Sequence, residues 1–299
     1  MEQEKRNKLL KILLTACALL AGAFLAWGAF VEPNRLVVRR TAVQLPGLPP
    51  ELEGCRALVV ADTHFGSSFL EKKRRDRLIN AIRAEKADIS FLLGDYIAAG
   101  SIPRYKAMKE EDLVTFFRSL QAPLGSYAVL GNHELWYGRK KMRELLEKAG
   151  VSVIENKAVK VKNHLTIAGL PDFATTPVDW KKTALFLKEA TPALILTHKG
   201  RILRHLPLSP EVLTLAADTH GGQVRLPWIG SLYNLRFRQP ELPTGISNQW
   251  GKKLFITSGA GGHRLNFRFL CPPEIAVVTF TGSRSVKEVE GVGAGEKPF

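Results

Sequence analysis

Five apolar runs in this chain each stop at a short cluster of Asp, Asn or His, and no other feature restricts the fold as much. The clusters are Val59-Val60-Ala61-Asp62-Thr63-His64, Leu92-Leu93-Gly94-Asp95, Val129-Leu130-Gly131-Asn132-His133-Glu134, Ile195-Leu196-Thr197-His198 and Ala217-Asp218-Thr219-His220-Gly221-Gly222-Gln223. A run such as 89–93 reads as a strand buried on both faces, and the end of such a strand is where an α/β sheet presents ligands to a crevice. Gly94 lets the backbone turn there. Asp62 and His64 alternate at i and i+2, so both lean the same way from one strand end.

Each cluster alone is weak evidence, because Gly-Asp is a common turn and a single His at a strand end is usually structural. Their combination is specific: four of the seven histidines fall in these segments, each beside Asp, Asn, Gly or Thr. The donors are oxygen and nitrogen. Cys17, Cys55 and Cys271 are far apart in the chain and form neither a disulfide framework nor a zinc ribbon. Such a donor set suits open, hydrolytic sites for Mn, Fe, Zn or Mg, with Mn favoured. Of the other histidines, His164 reads as a turn residue, His205 as a helix-surface residue, and His263 as a loop residue within reach of substrate.

Strand and helix patterns alternate from residue 57 onward, with strands at 57–61, 89–93 and 126–130 and helices near 71–86, 110–120 and 140–149. That order predicts a mostly parallel sheet covered by helices. Beyond Gly150 shorter strand-like runs follow at 159–162, 165–168, 194–196 and 212–215, then 254–257 and 275–280, with one helix at 180–190. A second sheet packed on the first is expected.

The first 31 residues have another texture. Residues 12–31 carry no charge, and at ~1.5 Å per residue they cover the ~30 Å of a bilayer's hydrocarbon. Lys5, Arg6, Lys8 and Lys11 precede them, and Trp27 and Phe30 sit near the far end, where aromatic rings favour the interface. An uncleaved single-pass anchor is the reading adopted, over a cleaved export signal. The leading cations favour an N-terminus inside and a domain outside the cytoplasm, a bias that Arg35, Arg39 and Arg40 weaken. The expected organisation is an anchor over 1–31, a Pro-rich linker over 32–54 with one strand near 36–43, a catalytic domain over 55–284 and a frayed tail over 285–299. The formal charge of +15 predicts attraction to polyanions: an anionic membrane surface, phosphorylated substrates or nucleic acid.

The ordered set Asp-x-His, Gly-Asp, Gly-Asn-His-Glu, His and Thr-His-Gly-Gly-Gln resembles the calcineurin-like metallophosphoesterase superfamily. The stretch Thr219-His-Gly-Gly-Gln-Val-Arg-Leu-Pro227, with Ser258-Gly-Ala-Gly-Gly262, Arg268 and Cys271-Pro-Pro-Glu274, is similar to its branch of membrane-associated bacterial phosphohydrolases. That branch includes enzymes cleaving UDP-2,3-diacylglucosamine in lipid A synthesis. The resemblance covers about 56–280 and implies a two-sheet α/β/β/α sandwich behind an N-terminal transmembrane helix. It also implies two divalent cations: Asp62, His64 and His220 on one, Asn132 and His198 on the other, Asp95 between them. His133 is then expected near the leaving-group oxygen, with Glu134 orienting its ring. One departure stands out. The superfamily normally has Gly-His-x-His in the fifth motif, where this chain has Ala217-Asp218-Thr219-His220. Asp218 is expected to ligate through oxygen, holding a hard ion more firmly while making it a poorer Lewis acid; the alternative is a second site that is weak or empty.

The implied reaction is hydrolysis of a phosphoester or pyrophosphate by a water that two cations sharing Asp95 acidify. The expected substrate is lipid-linked or nucleotide-linked. Two rivals remain at this stage. A nuclease of the same superfamily has the basic charge behind it but no aromatic-interleaved basic groove, so no nucleic acid partner is expected. A non-catalytic metal-binding protein has only Asp218 in its favour. The basic run 72–77 reads as a helix face that meets acidic headgroups or solvent. Arg225 and His263 are candidates for substrate contact. The apolar stretch 226–235, with Trp228, Ile229, Leu232 and Tyr233, reads first as core packing and second as an acyl groove or a bilayer-dipping segment.

Overall fold

The computed structural model describes residues 1–67, 71–98, 108–188, 192–206, 212–236, 242–262 and 266–282. His263 and the tail 285–299 lie outside the described residues. The strands are β1 (Val37–Gln44), β2 (Arg56–Val60), β3 (Ile89–Leu92), β4 (Ser126–Ala128), β5 (Ser152–Val153), β6 (Lys157–Val161) and β7 (Leu165–Gly169). They continue as β8 (Ala193–Lys199), β9 (Leu213–Ala217), β10 (Arg225–Leu226), β11 (Gly230–Ser231), β12 (Gly245–Gln249), β13 (Lys252–Ile256) and β14 (Glu274–Thr281). The helices are α1 (Glu2–Ala26), α2 (Glu71–Glu85), α3 (Glu110–Arg118), α4 (His133–Tyr137), α5 (Arg139–Lys148), α6 (Trp180–Lys188) and α7 (Leu232–Arg236).

Among the described residues two six-stranded sheets form, ordered β1-β14-β2-β3-β4-β5 and β12-β13-β9-β8-β7-β6. Strands β2 to β5 run parallel, as the alternating pattern requires, and β7, β8, β9 and β13 are parallel in the second sheet. Both inner faces are apolar. Val59, Phe91 and Val129 of the first sheet meet Ile167, Leu196, Leu215 and Phe255 of the second in one buried cluster. The outer face of the first sheet packs on α2, α3 and α5 through Leu58, Leu78, Phe117 and Leu146. Ile195, Ile202 and Leu203 lie in the cluster on the outer face of the second. Mixed α/β architecture with two stacked sheets is the result.

Two placements differ from the pattern read in sequence. Strand β14 follows the second-sheet strands in the chain yet inserts in the first sheet, parallel to β1 and antiparallel to β2. An apolar run declares burial but not its neighbour, and the long β1 pairs with it through eight registered residues. Residues 37–44, expected within a linker, are therefore part of the sheet.

Helix α1 runs on through Trp27–Val31 and Glu32–Asn34 as one segment long and apolar enough to cross a membrane. Its end is sewn to the domain. The Phe24 ring lies 5.6 Å from that of Phe267 and 4.5 Å from that of Phe269. The Gly28 carbonyl accepts the Arg268 N–H at 2.9 Å. Glu32, buried, accepts the Cys271 N–H at 3.0 Å and the Trp27 indole N–H at 2.7 Å.

Candidate metal centre

The clusters sit where β2, β3, β4 and β9 end and at the end of β8 itself, so three ends of one sheet and two of the other supply one site. The backbone there is strained. Asp62, His64, Asp95, Asp218 and His220 all have positive φ, between 41° and 71°, a region that non-glycine residues seldom enter and that recurs at functional sites. Gly94 is needed for a further reason: a Cβ on it would strike the Gly131 backbone and approach the His198 ring.

Asp95 is the centre. Its Oδ2 lies 3.3 Å from His198 Nε2, 3.7 Å from His64 Nε2 and 3.9 Å from His133 Nε2. Its Oδ1 accepts the His133 backbone N–H at 2.9 Å. His64 Nε2 and His220 Nε2 face each other at 3.1 Å, and His220 Nε2 is 4.0 Å from Asp62 Oδ1. Three groups of candidate ligands fall within mutual reach: Asp62, His64 and His220; His64, Asp95 and His133; Asp62, Asp95 and His198. Asp218 Oδ1 stands 3.4 Å from His198 Nε2, and Asp218, Asn132, Asp95 and His220 line one cleft of about 220 Å³.

The electrostatics call for cations. Both Asp62 carboxylate oxygens are buried and accept no hydrogen bond among the described residues, an arrangement that costs several kcal/mol for a bare anion. Burial accordingly pushes the Asp62 carboxyl well above its ordinary range, with Asp95 and Asp218 adding repulsion. Asp95 is buried too, but the imidazoles of His198, His64 and His133 outweigh burial and hold it well below that range. His198 donates from Nδ1 to the Leu93 carbonyl at 2.7 Å, which turns Nε2 inward. Burial opposes charge on that ring, yet Asp95 and Asp218 hold its pKa well above the usual value. A divalent cation fits these residues: it supplies the positive charge that Asp62 lacks and takes the inward imidazole nitrogens as donors.

Glu134 requires a correction. Its oxygens accept the backbone N–H groups of Asp95 at 3.0 Å, Tyr96 at 2.8 Å and Gly131 at 2.7 Å. It ties the second and third motif loops together and does not orient the His133 ring. Burial, reinforced by Asp95, pushes it up to about 7. Arg225 donates to the Gly221 carbonyl at 3.2 Å, within the fifth loop. The basic run is divided: Arg74 turns inward to the His64 carbonyl and the Phe65 ring, while Arg75 pairs with Asp112.

Two supporting residues, Tyr96 and Lys199, escape a reading by motif. Tyr96 accepts from Gly94 N–H and donates to the Val129 carbonyl, although its place directly after Gly94-Asp95 was a clue. Lys199 Nζ lies 3.3 Å from Asp172 and 4.0 Å from Asp218, offsetting the extra carboxylate. Arg268, already part of the late sequence motif, is fully buried and donates to the carbonyls of Ser258, Gly259, Gly261, Cys271 and Pro272. Those glycines close against Asp62 and Thr63.

The family model for calcineurin-like phosphoesterases matches residues 55–231. An uncharacterized metallophosphoesterase of Aquifex aeolicus is 30% identical over 283 residues, covering 89% of this chain and 98% of that protein. The UDP-2,3-diacylglucosamine pyrophosphatase LpxG of Chlamydia trachomatis is 26% identical over 313 residues, covering 84% and 91%. The uncharacterized metallophosphoesterase YkuE of Bacillus subtilis is 25% identical over 291 residues, covering 93% and 98%. With the family model spanning more than half of the residues and one relative similar along nearly its whole length, the chain belongs to the calcineurin-like phosphoesterase family and is a phosphoester-hydrolysing enzyme.

Proposed function

We propose that this enzyme is a membrane-anchored phosphohydrolase that uses two divalent cations to cleave a phosphoester or pyrophosphate bond of a lipid-linked or nucleotide-linked substrate. The observation that carries it is the Asp62 carboxylate, buried without a donor among the inward imidazoles around Asp95. Asp62, His64 and His220 would hold one cation and Asn132, His198 and Asp218 the other, with Asp95 available to both. Manganese is favoured over Fe, Zn or Mg. Such cations, when bound, acidify a water and neutralise a phosphate.

The chain's own residues do the rest. His133, its side chain only 12% exposed and its backbone N–H held by Asp95, is placed to donate from its ring to the departing oxygen. Glu134 keeps the Asp95 and Gly131 loops at a fixed separation, so ligands on two strands hold one geometry. Lys199 offsets Asp218, and Arg225 and Arg201, near the cleft, suit an anionic substrate. The apolar N-terminal segment, the charge of +15 and similarity to LpxG support an acylated sugar nucleotide bound at an anionic membrane. The basic residues before the span support a domain outside the cytoplasm. Residues 55–284 form the catalytic unit in this reading, with 1–31 as anchor.

The test is a screen of the full chain in lipid discs, stripped of metal and reloaded with each cation in turn. Substrates are an aryl phosphate, an aryl phosphodiester, DNA and UDP-2,3-diacylglucosamine. Two cations per chain and pyrophosphate cleavage of the acylated sugar nucleotide support the reading. No bound metal and no hydrolysis, or preferential cleavage of DNA, would overturn it.

A further inference from the structure

The stretch 226–235 is not core. Trp228 is 100% exposed at the tip of the β10–β11 hairpin, and Ile229, Leu232, Tyr233 and Leu235 are more than a third exposed. Leu270, half-exposed and at φ 49°, joins them from the neighbouring loop. An apolar patch of this kind on a soluble surface marks an interaction site.

Its position relative to the apolar anchor identifies the partner. The hairpin starts on the 266–271 loop: Phe269 N–H donates to the Gln223 carbonyl and Arg225 N–H to the Phe269 carbonyl, both at 2.9 Å. The Phe269 ring in turn lies on Phe24 of α1, and the Gly28 carbonyl holds Arg268. Phe24 is seven residues before Val31, the end of the charge-free run, hence ~10 Å inside the apolar span at ~1.5 Å per residue. The 266–271 loop therefore meets the anchor at the depth where interfacial segments bury ~5–10 Å into headgroups and acyl chains. The hairpin springs from that level. At its other end Tyr233 and Asn234 line the cleft with Asp218 and His220.

We infer that residues 226–235, with Leu270, form a second membrane contact that seats the cleft mouth on the surface of a lipid bilayer. This rests on the anchored reading above. Trp228 is fully exposed, so its ring and the neighbouring leucines enter the interface. The cleft is thereby held at the level of the headgroups, where a phosphoester on an acylated amphiphile is reached without leaving the lipid.

The experiment uses the full chain in phosphatidylcholine–phosphatidylglycerol discs whose acyl chains are brominated near the headgroups, comparing tryptophan emission in wild type, Trp228→Phe and Trp27→Phe. The inference expects a bromine-dependent loss of emission from Trp228 and from Trp27, each loss disappearing in its own variant. If Trp27 is quenched and Trp228 is instead reached by acrylamide from water, the hairpin contact fails while the anchor stands. If Trp228 is reached by neither quencher, a second protein surface covers it and the inference is overturned. If neither tryptophan is quenched by bromine, the anchored reading itself fails and takes this one with it.

Discussion

His64 Nε2 and His220 Nε2 face one another at 3.1 Å, with Asp62 Oδ1 4.0 Å beyond His220. Two imidazole nitrogens and a carboxylate turned to one point are ligands in search of a cation. Stripping metal from the full chain is expected to lower its melting temperature, and manganese to restore it. Cation at a hundredfold excess over its Kd contributes ~2.7 kcal/mol, or about 2–4 °C per kcal/mol for a domain of this size. In His220→Ala the manganese-dependent rise should largely vanish in a thermal melt while the stripped protein melts near the wild-type value. An undiminished rise would remove His220 from the ligand set.

In the proposed reaction Asp95 serves cation binding and His133 proton transfer, and variants should separate the two. His133→Ala is expected to keep cation content and lower kcat by ~10²- to 10⁴-fold, the usual range for a general acid. The loss should shrink for substrates with acidic leaving groups, which need no proton. Asp95→Asn keeps an oxygen for the His133 N–H but discards the charge shared by three imidazoles, so both cation content and kcat should fall. Metal analysis beside a leaving-group series checks both; equal losses across that series would place His133 elsewhere in the reaction.

Asp218 sets a pH dependence. In the metal-free protein, His198 is held above its usual pKa despite burial, by Asp95 and Asp218. The favourable charge pairing is complete below the unfolded value of ~6.5 and is lost as pH rises through the folded one. Loading competes with the proton on Nε2, so cation affinity rises with pH across that same window. Asp218→Asn removes one of the two carboxylates, and the proton leaves at lower pH. The variant should bind manganese more weakly than wild type at alkaline pH, with the deficit narrowing as pH falls. Calorimetric titrations at several pH values decide it; parallel curves would mean that Asp218 does not govern His198.

Much of this was legible in the residues, and the exceptions share a cause. Strand ends at Asp62, Asp95, Asn132, His198 and Asp218 announce themselves because an apolar run stopping at a ligand type is a local pattern. Neighbour relations are not local. Nothing in 274–281 says that the run enters the first sheet between β1 and β2, and nothing in 37–44 says that β14 awaits it. Glu134 beside His133 suggests a ring partner, whereas the fold brings three amide groups to its carboxylate instead. Trp228 and its neighbours look alike in sequence whether they fill a core or face lipid, because burial in protein and burial in lipid select the same side chains.

The junction between the apolar N-terminal helix and the domain makes the last prediction. Glu32 is 1% exposed, with Oε1 taking the Cys271 N–H and Oε2 taking the Trp27 indole and an Arg35 N–H. Glutamine in its place has one acceptor and a two-proton donor, so one partner meets N–H against N–H. A buried donor left unsatisfied costs ~1–3 kcal/mol. The effect should travel to the metal centre by contact, since Cys271 Sγ lies 3.4 Å from the His220 carbonyl and Arg268 in the same loop holds the glycines that close on Asp62. Glu32→Gln is therefore expected to lower the melting temperature and weaken manganese binding together. Glu144→Gln, whose carboxylate is exposed beside Lys140, should do neither, because exposed pairs contribute ~0–1 kcal/mol. Differential scanning calorimetry and manganese titration of the two variants test the coupling: a destabilised Glu32→Gln protein with wild-type metal affinity would show that the junction holds the N-terminal helix without shaping the site.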